Sequence, residues 1–337
     1  MSTPGHRSHE QLRSLSSLLE DADEVLRRGE SAGSAVWSTG FPALDQTLTG
    51  GFRAGELVLL GGPQGNGKTT IGLQVARNVV AQGGSAVVFS YEHEAHTLLE
   101  RLISLEAAER EPMDAATVHE VRRALEAGSF GASLGTLLST LRGGEEAYAA
   151  LAGYGDRLHI HESSGVTSTL DEVADVIRRV AGQTERPPFV LVDYLQKVPV
   201  PGAAEDDRIT AAAEGLKDLA LEMEVPIVCV AAADKSSLGS GHRMRTHDLR
   251  GTSSLAYEAD VVLILSDKVD VVSREHLVYD LGNVQRFRDW SVISFEKNRH
   301  GRANVELEFT KDFEHGRFHT EGQQVAERLI DERVIVS

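Results

Sequence analysis

Residues 62–69 read Gly-Pro-Gln-Gly-Asn-Gly-Lys-Thr, a complete G-x-x-x-x-G-K-T run, and such a run demands a strand before it and a helix after it. Its glycines let successive backbone N–H groups turn inward around phosphate oxygens, and the following helix aims its positive dipole end at the same point. The flanks meet the demand. Residues 56–61, Glu-Leu-Val-Leu-Leu-Gly, suit a buried strand, and the stretch from Thr70 to Ala81 carries Ile71, Val75 and Val79 at helical spacing. Gly62, Pro63, Gln64, Gly65, Asn66 and Gly67, with Lys68, Thr69 and Thr70 opening the helix, are therefore the expected nucleotide-binding element. Lys68 is placed to reach the β- and γ-phosphates and the Thr69 hydroxyl to hold Mg²⁺, so ATP and Mg²⁺ are the expected cofactors.

With 41% apolar and 25% charged residues, a 337-residue chain has ample core for a nucleotide-binding α/β domain. No stretch approaches the ~18 to 20 continuous apolar residues of a membrane span, and the first residues lack the apolar region of a secretory signal. A cytoplasmic location without membrane contact follows by default. The single cysteine, Cys229, lies in an apolar run and reads as buried filler rather than a nucleophile. A net charge of −17 argues against a protein that coats nucleic acid, while leaving room for a local basic channel.

Strand candidates starting at Leu57, Ala86, Leu158, Phe189, Ile227, Val261, Val292 and Val305 alternate in the first half with helix candidates near 68–81, 95–108, 117–127, 170–180 and 209–224. That alternation predicts a mainly parallel central sheet flanked by helices, with its phosphate loop at the carboxyl ends of the strands. Residues 1–36 form a short N-terminal helical arm and linker, with Leu12, Leu15, Leu18, Leu19, Val25 and Leu26 at helical spacing. Such an apolar face docks either on a neighbouring subunit or on its own domain. The ATPase domain is expected over 37–320 and a C-terminal tail over 321–337. The Gly/Ser-rich stretch 128–144 reads as a mobile loop between short helices.

Four further segments turn a nucleotide binder into a candidate hydrolase. Phe189-Val-Leu-Val-Asp193 is an apolar strand ending in a carboxylate, which suits Asp193 to a metal-bound water. Val87-Val-Phe-Ser-Tyr-Glu92 ends likewise, and Glu92 is the expected catalytic base, with Glu94 the second choice. Residues 296–301, Glu-Lys-Asn-Arg-His-Gly, offer Arg299 and its helper Lys297 as cations for the transferring phosphoryl group, acting across a subunit boundary. Residues 234–250 hold Lys235, Arg243, Arg245 and Arg250 among Ser and Gly, a loop suited to a nucleic-acid backbone and equally to solvent. The pairs His93/His96 and His159/His161 lack the spacing of a metal site.

Taken together, Thr39-Gly-Phe-Pro-Ala-Leu-Asp45, Gly50-Gly51, Gly55-Glu56-Leu57, the phosphate loop, Ser90-Tyr-Glu92, Asp193-Tyr-Leu-Gln196, Asp248-Leu-Arg-Gly251, Ala259-Asp-Val261 and Lys297-Asn-Arg299 resemble the C-terminal motor domain of DnaB-type replicative helicases. The resemblance covers about residues 37 to 320. It implies a RecA-like P-loop NTPase fold, a homo-oligomer in the form of a hexameric ring with ATP between subunits, and single-stranded DNA in a central channel. Carried over by residue, it gives Lys68 and Thr69 to the phosphate loop, Glu92 to the catalytic glutamate, Asp193 to the metal-associated aspartate, and Lys297 and Arg299 to the trans cations. The arm before residue 37 resembles the linker helix that such helicases dock on the adjacent subunit.

Three departures bear on function. Only residues 1–36 precede the motor, so the family's N-terminal primase-interacting domain is not expected, which argues against a replicative role. The family's Ser-Gln-Leu-Asn-Arg is replaced by Ala231-Ala-Ala-Asp-Lys235, and Ala232 has no side-chain donor or acceptor to couple the γ-phosphate to DNA. The charged segment 267–289 has no clear counterpart. The sequence thus supports a DnaB-like ring motor on single-stranded DNA. It also carries an alternative, a nucleotide-gated oligomeric switch broadly like the KaiC branch of RecA-like ATPases, acting on an unidentified protein partner. An accessory ATPase of a specialised genetic element is a third reading, without a positive mark of its own.

Overall fold

The computed structural model describes residues 12–111, 114–128, 131–203, 205–233, 243–251, 254–273, 275–278 and 281–330. In chain order the elements are α1 (Leu15–Arg27), β1 (Val36–Trp37), α2 (Pro42–Thr47), β2 (Phe52–Arg53), β3 (Leu57–Gly62), α3 (Lys68–Ala81), β4 (Ala86–Ser90), α4 (Ala95–Arg110), α5 (Val118–Ala127), α6 (Leu134–Leu138) and α7 (Gly144–Tyr154). There follow β5 (Leu158–Glu162), α8 (Leu170–Ala181), β6 (Phe189–Asp193), α9 (Glu205–Met223), β7 (Ile227–Ala232), α10 (Ser254–Glu258), β8 (Val261–Asp267), α11 (Lys268–Val271), α12 (Glu275–Val278), α13 (Leu281–Arg288), β9 (Trp290–Asn298), β10 (Glu306–Asp312) and β11 (Arg317–Gln324).

Nine strands form one sheet in the order β11-β10-β9-β8-β3-β7-β6-β4-β5. From β8 to β5 every neighbouring pair is parallel, whereas β9, β10 and β11 join antiparallel. The parallel strands β3, β4, β6, β7 and β8 are buried along almost their whole length, which is why they read as unbroken apolar runs, whereas the edge strand β5 is only partly buried and alternates. Alternate residues still go to opposite sides: Val58, Leu60, Val88 and Leu191 join Ile71, Val75 and Val79 of α3, while Leu57, Leu59, Val87 and Val190 meet Ile177 of α8 and Leu216 of α9. Cys229 is fully enclosed in β7, and burial pushes its thiol pKa up. A third cluster, built around Ile103, Ala107, Val121 and Leu138, holds α4 to α7 together. Within it the stretch 128–144, expected to be a loop, contains α6, capped by the Ser133 hydroxyl, which accepts from the Thr136 backbone.

Two boundaries differ from expectation. β11 crosses residue 320, so the strand runs into the region expected to be a tail. The charged segment 267–289 folds into α11, α12 and α13, and the chain near its end locks onto it: Lys268 pairs with Glu308 at 2.5 Å and Glu327 at 2.7 Å, and Ile330 N donates to Val271 O at 2.9 Å.

The arm helix α1 opens at Ser14, whose hydroxyl accepts from Ser17 N at 3.1 Å. None of its residues is buried, and Leu15, Leu19 and Leu26 stand in solvent at 72%, 63% and 60% exposure. Of the two docking modes expected for the arm, packing on its own domain is not the one adopted by the described residues. Among the described residues no helix is long and apolar enough to cross a membrane.

Candidate nucleotide site and its basic surroundings

The carboxyl ends of β3, β7, β6 and β4 open into a cleft of about 570 Å³. β3 leads straight into the phosphate loop. Gly62 has φ 151°, and a Cβ there would come within 2.3 Å of Leu265 O, so only glycine lets the chain turn off the sheet at this point. Gly67, at φ 92°, lies under the rings of Phe313 and Phe318 from the β10–β11 hairpin, where a Cβ would sit 2.6 Å from Phe313. The hairpin thus roofs the loop just before α3 begins at Lys68.

Lys68 folds back on its own loop, its Nζ donating to Gly62 O and Pro63 O at 2.7 Å each. Burial pushes its ammonium pKa down, and Asp193 and Glu92 oppose that shift. These carbonyls hold the ammonium over the loop. Thr69 Oγ1 donates to Asp193 Oδ2 at 2.6 Å, joining the first turn of α3 to the end of β6. Asp193 is 2% exposed, and its second oxygen, Oδ1, is buried without a hydrogen-bond partner. Burial raises its pKa, partly countered by the Thr69 hydrogen bond, while Glu92 raises it further. An orphaned carboxylate oxygen beside a threonine hydroxyl fits a Mg²⁺ that keeps several waters and takes few protein ligands.

Glu92 follows β4, whose end pairs in register with Asp193. It is exposed and lines the cleft, and so does His93. Glu94 instead takes the N-cap position of α4. Among the lining residues not singled out from the sequence as part of this cleft are Arg101, Tyr194 and Arg250. Arg101 had a signal, a cation on the helix that follows the Glu92 strand. Arg250 was read only as a backbone-binding cation of its loop.

Arg299 and Lys297 lie elsewhere. Val58 of β3 pairs with Val261 of β8, which in turn pairs with Asn298 of β9, so these cations sit where the parallel strands begin. From Val58 to Gly62 the strand climbs about 13 Å toward the phosphate loop. Arg299 is half exposed and pairs with Asp260 Oδ1 at 3.1 Å, while Lys297 Nζ donates to Ala256 O at 2.7 Å. Burial, with the neighbouring Arg299, pushes the Lys297 ammonium pKa down. Asp260 also accepts from Leu57 N at 2.9 Å and pairs with Lys217 at 2.7 Å, which fixes it at the root of the central strand. Neither cation faces the cleft of its own chain.

The four cations expected to face a nucleic-acid backbone do not form one group. Arg243 is 5% exposed, bonds Ser294 Oγ at 2.8 Å and pairs with Glu306. Arg245 pairs with Glu296 Oε1 at 2.7 Å. These two therefore tie their loop to β9 and β10, correcting the picture of four solvated cations; the sequence hid the carboxylates because they come from later strands. Arg250 is exposed and lines the nucleotide cleft, and its carbonyl accepts from Gln196 Nε2 at 3.0 Å. Gln196 Oε1 accepts from Ala232 N at 3.0 Å, so this one side chain joins the end of β7 to the loop around Arg250. Lys235 lies outside the described residues.

Comparison with known proteins agrees with this architecture. The ATPase domain of G40P superposes with a TM-score of 0.70 over 91% of this chain and 99% of its own, at 18% identity. A DnaB-like replicative helicase, solved in a study of its interactions with primase, gives 0.66 over 91% of this chain and 67% of its own, also at 18% identity. Those likenesses establish the RecA-like helicase ATPase fold. The replicative DNA helicase DnaB of Pasteurella multocida is 26% identical over 266 residues, covering 77% of this chain and 53% of that protein. DnaB of Treponema pallidum is 29% identical over 231 residues, 68% of this chain and 47% of that protein. The chain therefore spans about half the length of the curated relatives it matches. Residues 37–131 and 138–319 match the DnaB-like helicase C terminal domain, and the chain belongs to that family.

Proposed function

We propose that the chain is an ATP-hydrolysing motor that acts on single-stranded DNA as a homo-oligomeric, hexameric ring, with ATP and Mg²⁺ held between subunits. The observation that carries the reading is the direct contact of Thr69 with Asp193 beneath the phosphate loop, with Glu92 facing the same cleft. Family membership favours this motor over the nucleotide-gated protein switch.

The backbone N–H groups of residues 62–69 and the N-terminus of α3 bind the phosphates. Lys68 leaves the loop carbonyls to meet the terminal phosphates. Thr69 and Asp193 would hold Mg²⁺, which would supply charge neutralisation to the bound triphosphate. Glu92 accepts a proton from the attacking water and orients it toward the γ-phosphorus, with ADP as leaving group. Arg299 and Lys297, set about 13 Å below their own loop, serve the cleft of an adjacent subunit and stabilise charge there. The solvent-facing apolar side of α1 gives that neighbour a second handle.

Steady-state ATP hydrolysis, measured with and without single-stranded DNA while the mass in solution is recorded, tests the proposal. Strong stimulation of a hexamer is expected. Turnover indifferent to DNA would overturn the motor and leave the protein-partner switch. Because Arg243 and Arg245 are tied within the fold and Arg250 lines the nucleotide cleft, the DNA-binding variant to compare is at Lys235, scored by the salt dependence of binding.

A further inference from the structure

We infer that Asp260 is the positioning residue of Arg299: it anchors the guanidinium at the root of the central sheet, so that the arginine meets the adjacent subunit's cleft already oriented. The inference deepens the reading of Arg299 as a cation that acts across the subunit boundary, and rests on it. Asp260 lies between α10 and β8 and is 3% exposed. A carboxylate so buried needs partners for both oxygens. Here the two oxygens have separate tasks. Oδ2 belongs to the fold: it accepts from Leu57 N at 2.9 Å and from Lys217 Nζ at 2.7 Å, and Lys217 also donates to Gly55 O at 2.8 Å. Oδ1 is left to Arg299, whose Nη1 lies 3.1 Å away.

The main chain repeats the link. Arg299 N donates to Asp260 O at 3.0 Å, and Asp260 N donates to Leu57 O at 2.8 Å. Arg299 Nη2 further donates to Tyr257 O at 3.2 Å, and Lys297 Nζ donates to the neighbouring Ala256 O at 2.7 Å. The end of α10 and Asp260 together thus form one acceptor platform under both cations. The Arg299 side chain nonetheless stays 50% exposed, so it is held without being enclosed. A free arginine loses much rotamer freedom on docking to a phosphate, and one already held by a carboxylate and a carbonyl loses less. Lys217 offsets the carboxylate from its other side. The trio of Lys217, Asp260 and Arg299 therefore keeps a net positive charge, and the anchor leaves a cation to offer the neighbour's phosphoryl group.

The test is steady-state ATP hydrolysis by the full chain carrying Asp260→Asn, alone and mixed with Lys68→Ala, beside the mixture of Arg299→Ala with Lys68→Ala as reference. Asparagine keeps an oxygen for Leu57 N and removes the charge that holds Arg299. Asp260→Asn alone is expected to lose about tenfold to a hundredfold in kcat with KM within about twofold, the mark of a misaimed group rather than of a lost substrate contact. Lys68→Ala subunits, inactive by themselves, bring an intact Asp260 and Arg299 to the intact clefts of Asp260→Asn. Adding them one to one is therefore expected to raise the rate, toward about a quarter of that of the wild type. A carboxylate that only supported its own strand and phosphate loop gives no such rescue. Three results overturn the inference: wild-type turnover by Asp260→Asn, faster turnover, which would make the pair a brake, and a loss that Lys68→Ala does not rescue although it rescues Arg299→Ala. ADP binding reports the fold. Asp260→Glu, which keeps a charge for Lys217 and displaces the anchor by one methylene, is run in parallel and decides by the same criteria where Asp260→Asn does not bind ADP; loss of ADP binding by both makes Asp260 a structural residue and also overturns the inference. No recovery in the reference mixture at any ratio would bring down the trans reading itself, and the inference with it.

Discussion

Asp193 ends an apolar strand, Glu92 comes two residues after one and Lys68 comes after one across the phosphate loop, and that local grammar is why they were legible without coordinates. A carboxylate at the end of a buried strand opposes burial unless something binds it, and the orphaned Asp193 Oδ1 is the residue-level sign of that opposition. Arg101 and Arg243 escaped for a different reason: the meaning of an arginine depends on what faces it. Arg243 meets Glu306, 63 positions away, and Arg101 meets the cleft without a partner. At this scale the chemistry of the site is separable. Lys68→Ala is expected to abolish hydrolysis, because the terminal phosphate loses its main cation. Glu92→Gln is expected to keep ATP binding and lower turnover by about 10² to 10⁴. Binding by filter retention alongside phosphate release checks both, and a Glu92→Gln chain that hydrolyses at the wild-type rate would remove Glu92 as base.

Among the elements, the parallel strands and their covering helices were foreseen because doubly buried strands and amphipathic helices write strong periodic signals. β11 was not, since Arg317–Gln324 is an edge strand with polar outward residues and takes its partner from β10 rather than from its own composition. α7 lies just beyond the stretch read as a loop between short helices; Gly144–Tyr154 is rich in alanine and glycine, and it packs on α4 through Ala147 and Leu151, with the Tyr154 hydroxyl donating to Glu106. The four cations between β7 and β8 were read as facing either a nucleic-acid backbone or solvent, yet two of them are engaged in the Arg243–Glu306 and Arg245–Glu296 pairs. Arg243→Ala is therefore expected to cost about 3 kcal/mol of stability, because it strands a partly buried carboxylate. The midpoint of urea unfolding measures it. A change below about 0.5 kcal/mol would mean that the pair behaves as a screened surface bridge.

For the whole molecule, the separation of Lys68 from Arg299 along the strand direction is the dominant fact, and the sequence conveyed it only through the family resemblance, because distance across a sheet leaves no mark in local spacing. It yields a test in mixtures. Lys68→Ala and Arg299→Ala are each expected to be inactive, and mixing them one to one is expected to regenerate activity at about a quarter of the contacts, where an intact phosphate loop meets an intact arginine. Steady-state hydrolysis across the mixing ratios reads this directly, and an absence of recovery at every ratio would refute action in trans. The placement also fixes the arithmetic of assembly. In the proposed ring each cleft takes the arginine of the next copy head to tail, so an open row of n copies would complete n − 1 sites and closing the row would add one more. On that proposal ring closure is a gain of one active site, and the fraction of working sites in a purified sample would report how many rings are broken.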